Sequence, residues 1–167
     1  MYSQNREEAV ILEHLQGVDP ATSTFLDIGA WDGRTFSNTM RLVELGWAGL
    51  CVEPSPSAFL SLLVTHQFNL RVALLNAAII PGPEARPVDF HDARGDGVST
   101  LVPQHAQRWN LTQRVFQVHA MPLEALFEHF GAAWTFINLD VEALNKELFM
   151  ALPLEHLAQL RVICVEH

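Results

Sequence analysis

Apolar residues along this chain come in short runs whose spacing switches repeatedly between that of a helix and that of a buried strand. From Arg6 to Gln16, Val10, Ile11, Leu12 and Leu15 offer one apolar helical face, which Gly17 and Pro20 end. Thr24-Phe25-Leu26-Asp27-Ile28 is a short apolar run entering a glycine-containing turn, the signature of a buried strand. Between Arg34 and Leu45 the spacing turns helical, with Phe36, Met40 and Val43 on one face and Gly46 as the stop. A second strand, Ala48 to Val52, ends in Glu53-Pro54, and Ser55 can cap a helix that lines up Phe59, Leu62, Leu63 and His66.

Arg71 to Ile80 reads as one long apolar strand closed by Pro81-Gly82-Pro83, followed by a short strand within Glu84 to Phe90. His91 to Gly97 reads as a surface loop. Arg114 to His119 is a further strand and Pro122 to Phe130 a helix with Pro in its first turn. Trp134 to Leu139 is a strand, Ala143 to Leu152 a helix and Val162 to Val165 a last strand. Strand and helix alternate and several strands are apolar on both faces. The expected fold is therefore α/β, a doubly wound, mostly parallel sheet with helices on each side. Residues 1–167 form one expected domain, with an N-terminal helix within 1–20 and the core from 24 onward.

Composition narrows the function. Nineteen acidic against ten basic residues give a formal net charge of −9. That balance argues against general affinity for nucleic acid or an anionic membrane. The N-terminus lacks a signal-type apolar block and no run reaches the ~18 apolar residues of a membrane span, so a cytoplasmic protein is the default. Cys51 and Cys164 lie in short apolar runs and read as free thiols in strands. The eight histidines form no zinc spacing, and no metal is expected.

The candidate chemistry centres on Phe25-Leu26-Asp27-Ile28-Gly29-Ala30-Trp31-Asp32-Gly33, a glycine turn after a strand. Gly29 lets backbone approach a ligand, and Gly33 allows close packing. Ala30 and Asp32 break the Gly-x-Gly-x-x-Gly pattern of a pyrophosphate cradle, and an acidic turn suits a cationic ligand better. Glu53, at the end of the second strand and twenty residues after Gly33, stands where doubly wound folds place a carboxylate for two ribose hydroxyls.

Phe25 to Ala30, Cys51 to Pro56, Asn76-Ala77-Ala78, Ile137 to Glu142 and Val165-Glu166 resemble, in order and spacing, the FkbM-type methyltransferases. The resemblance covers about Phe25 to His167. It implies a Rossmann-like class I fold that uses S-adenosylmethionine (SAM) to methylate hydroxyl oxygens of sugars, polyketides or other small molecules. Residue by residue, it implies that Asp27, Gly29, Ala30 and Gly33 hold the methionine part of SAM. Glu53 would hold the ribose, and Asn76 and Ala77 would border the adenine. Asp140 and Glu142 would face the transferring methyl group, Asp140 being the first candidate base. Family members usually carry Lys where Asn138 stands and Gly where Ala143 stands, and they continue past a fifth strand into a closing antiparallel pair. These departures favour a second reading, a catalytically weakened SAM-binding module serving as a partner subunit. They also lead to the expectation of missing downstream residues, a natural truncation, or a homo-oligomer covering the last strand's edge. A third reading, an NAD-dependent oxidoreductase, lacks its phosphate-binding glycine.

Overall fold

The computed structural model describes residues 1–92, 99–101, 114–141 and 144–166. Among the described residues, five α-helices and eight strands follow one another: α1 (Glu7–His14), β1 (Thr24–Ile28), α2 (Met40–Glu44), β2 (Ala48–Val52), α3 (Pro56–His66), β3 (Val72–Leu75), β4 (Ala78–Ile80), β5 (Arg86–Asp92), β6 (Arg114–Pro122), α4 (Leu123–Phe130), β7 (Phe136–Leu139), α5 (Asn145–Met150) and β8 (Val162–Val165). Among the described residues no helix is long and apolar enough to cross a membrane. Cys51 and Cys164 are both free, the first buried and the second half-buried.

The main sheet has five parallel strands in the order β3-β2-β1-β7-β8. Its strands are apolar on both faces because each face carries its own core. Leu26, Ile28, Leu50, Val52, Ile137 and Leu139 pack with α4 residues Leu123, Leu126 and Phe127 and with Leu148 of α5. Their alternate neighbours Phe25, Cys51 and Phe136 pack on the opposite side with Ile11 of α1, Leu42 of α2 and Leu62 of α3. Burying both faces is what makes the near-continuous apolar runs of β1, β2 and β7 readable as a parallel sheet. A smaller sheet, β4-β6-β5, pairs β4 parallel and β5 antiparallel to β6 around Ala78, Ile80, Phe90, Val118 and Ala120.

Two predicted elements come out differently. The helix expected over Arg34 to Leu45 shrinks to α2, and Phe36 is exposed in a left-handed turn (φ 56°) rather than on an apolar helical face. Side chains take the amide groups that a helix would need. Asp32 Oδ1 accepts from the N–H groups of Arg34 and Thr35, and Ser37 Oγ from those of Thr39 and Met40. The strand expected over Arg71 to Ile80 divides into β3 and β4, which belong to different sheets. Asn76 makes the break, its amide donating to the carbonyls of Glu53 and Pro54. Of the loop expected over His91 to Gly97, His91 and Asp92 belong instead to β5, and residues 93–98 lie outside the described residues.

Candidate functional site

Register sets the site. Ile28 pairs with Val52 and Leu139, Val52 with Leu75, and Leu139 with Val165. The residues that follow each of these, Gly29, Glu53, Asn76, Asp140 and Glu166, therefore leave the five strands in one row at the carboxyl edge. The strand order also reverses between β1 and β7, since the chain runs outward from β1 through β2 to β3 before returning to β7. Open α/β sheets place ligands at this kind of crevice. A cavity of about 360 Å³ lies there, and Asp27, Gly29, Ala30, Glu53, Ala77, Asn138 and Asp140 are among its lining residues.

The glycine turn closes over the ends of β1 and β2. Gly29 and Ala30 both donate N–H to the Val52 carbonyl, at 2.9 and 3.0 Å. Gly29 has φ +90°, and a Cβ on it would lie 1.7 Å from the Asp140 carbonyl oxygen. Only glycine permits this approach of backbone to backbone. Trp31, also on the cavity wall, donates its N–H to Glu53 Oε2 at 2.9 Å.

Glu53 is buried, and Ser55 N–H holds its other oxygen at 2.7 Å. Burial is the largest influence on its carboxyl and pushes its pKa up to about 7, against the two backbone donors that favour the charged form. Asp27 is buried as well. Its Oδ2 accepts from the Thr39 hydroxyl at 2.5 Å and its Oδ1 from the Asn138 amide at 2.9 Å. Burial raises the Asp27 pKa too, while these two donors oppose the rise. Asp140 is half-buried on the wall, its N–H on the Ile28 carbonyl. Leu144 stands at the cap position of α5, so Asp140 is not that helix's cap.

Not every expected residue reaches the cavity. Gly33 (φ +73°) is not on its wall. A Cβ there would meet Leu62 Cδ1 at 2.5 Å and His66 Nε2 at 2.8 Å, so its place in the fold is packing against α3. Asn76 is likewise off the wall, spent on the carbonyls at the end of β2. Glu142 and Ala143 lie outside the described residues.

Sequence reasoning missed Asn38, Thr39 and the part played by Asn138. Asn38 donates to Asn138 Oδ1 at 3.1 Å, which extends the Asp27 network toward the cavity. The run Ser37-Asn38-Thr39, three weak helix formers inside a supposed helix, was the available signal. Also missed was the wall that the smaller sheet supplies through Phe90, with Ser99 and Leu101 beyond it. Asp92 ties that sheet to α3 by accepting from Ser55 Oγ at 2.6 Å, and Ser55 in turn caps α3 by accepting from Ala58 N–H. Among the described residues no group of three or more His, Cys, Asp or Glu is placed to hold a metal ion. No family model, curated protein or solved structure matches this chain.

Proposed function

We propose that the cavity binds S-adenosylmethionine in a Rossmann-like, FkbM-type arrangement and that the chain methylates a hydroxyl oxygen of a small molecule. The observation that carries this reading is the acidic make-up of the wall. Asp27, Glu53, Asp140 and Glu166 line the cavity, with no Lys, Arg or His among the described lining residues. Such a site favours a net-cationic ligand over a pyrophosphate, which needs basic residues or free amide groups. Asp32 already caps the N–H groups of Arg34 and Thr35, and no helix begins at the glycine turn. Both features count against a dinucleotide.

In this reading the Gly29-Ala30 backbone cradles the methionine part, Glu53 accepts from the ribose hydroxyls, and Ala77 borders the adenine beside Ile79. Bound SAM supplies an electrophilic methyl on a sulfonium. The chain's contribution is positioning, with Asp140 as the carboxylate that takes the acceptor's hydroxyl proton. A second reading, a binding module without turnover, draws on Asn138, whose amide is committed to Asp27 and whose carbonyl receives Asn38. Calorimetry with SAM, S-adenosylhomocysteine and NAD tests the cofactor, and NAD as the only binder overturns the proposal. Turnover on a panel of hydroxylated acceptors, lost in Asp140→Asn while SAM affinity persists, separates the enzyme from the module.

A further inference from the structure

The polar chain running outward from Asp27 has a direction, and that direction ends on an unsatisfied atom. A carboxylate only accepts, so the group that Asn138 presents to Asp27 Oδ1 is its NH2. The carbonyl oxygen of Asn138 must then face Asn38, and Asn38 must answer with its own NH2, at 3.1 Å. The same NH2 also reaches Cys164 Sγ at 3.6 Å. Each amide orientation is thus fixed by its inner neighbour rather than chosen freely. What remains is Asn38 Oδ1, a buried carbonyl oxygen with no hydrogen-bond partner among the described residues, on a residue that lines the cavity. A buried acceptor without a donor is costly, and native structures retain one where something else comes to satisfy it.

We infer that Asn38 Oδ1 receives an N–H donor of the bound ligand and so selects for an ammonium at this end of the cavity. The inference rests on the adenosyl reading above, in which the group concerned is the amino group of the methionine part. Asp27 takes part indirectly. Its oxygen accepts from the Asn138 NH2, which sets the direction of Asn138 and then of Asn38, so Asp27 and the ligand's ammonium are coupled through two amides without touching.

The test compares S-adenosylhomocysteine with its deamino counterpart, in which hydrogen replaces the amino group, by calorimetry at fixed pH and salt. The protein as it stands should prefer the amino form by about a hundredfold, and Asn38→Ala should narrow that preference by about tenfold with little change for the deamino ligand. Asn38→Leu keeps the volume of the side chain but offers no acceptor, and should narrow the preference as Asn38→Ala does. This second comparison still decides the matter if the alanine variant does not fold. A preference undiminished in either variant overturns the assignment. Equal binding of both ligands by the unsubstituted protein overturns it while leaving the adenosyl reading standing. Binding of neither removes that reading, and the role of Asn38 with it.

Discussion

Two opposing influences meet at Glu53. Its backbone donors, Trp31 and Ser55, favour the carboxylate, while burial favours the acid and prevails, bringing its pKa from 4.5 to about 7. Between those values the folded protein holds a proton that the unfolded chain has released. Stability from this group is therefore full below about pH 4.5 and is lost as pH rises through 7, a change on the order of 3 kcal/mol. Glu53→Gln should flatten this part of the pH profile in urea unfolding at pH 5 and 8, even though an amide serves two N–H donors less well. Equal slopes in the two proteins would refute the burial account. The proposed ribose role has a matching consequence. Hydroxyl donors prefer the ionised form, so adenosyl ligands should bind more tightly as pH rises from 6 to 8. Gly29 is constrained more severely. Alanine there meets both a left-handed backbone and the Asp140 carbonyl 1.7 Å from its Cβ. Gly29→Ala should cost more than about 3 kcal/mol in chemical denaturation.

Elements that bury apolar residues on both faces were the most legible. β1 and β2 appear with the boundaries their runs predict, because their apolar side chains Phe25, Leu26, Ile28, Leu50, Cys51 and Val52 all have a core to enter. The row of Gly29, Glu53 and Asp140 could be anticipated for the same reason, since where a strand ends decides which residue emerges at the edge. What could not be read was competition from polar side chains. Phe36, Met40 and Val43 satisfy helical spacing, yet Asp32 and Ser37 take the amide groups that the first turns of that helix would need. Apolarity continues from Val72 to Ile80, but Asn76 fastens itself to the end of β2 and sends β4 into the second sheet. Local hydrogen bonding thus overrode a correct hydrophobic pattern twice, both times at the rim of the cavity. α3 shows the opposite case, where pattern and cap agree. Ser55 caps its N-terminus and also donates to buried Asp92. Ser55→Ala removes the cap and leaves Asp92 a donor short, so unfolding free energy should fall by about 2 kcal/mol. Val64→Gln, on the exposed side of the same helix, should change it by less than about 0.5 kcal/mol.

At the scale of the molecule, the cavity is where two sheets meet. The parallel sheet supplies its carboxylate edge, and the smaller sheet supplies Ala78, Ile79 and Phe90. Asp92 ties the smaller sheet to Ser55 at the N-terminus of α3, the helix that follows β2 of the parallel sheet. A ligand seated there would act on both sheets at once, and its binding energy would appear as stability of the whole fold. At a hundred times its dissociation constant, S-adenosylhomocysteine should add about 2.7 kcal/mol and raise the melting temperature by roughly 5–10 °C. Hydrogen exchange distinguishes this from a ligand held by the glycine turn alone. Amides of β4 and β5 should slow together with Gly29, Ala30 and Trp31, because the second sheet forms part of the wall. Protection confined to β1, β2 and the turn would mean that the smaller sheet packs beside the site without belonging to it, and the adenine would then have no place against Ala77 and Ile79.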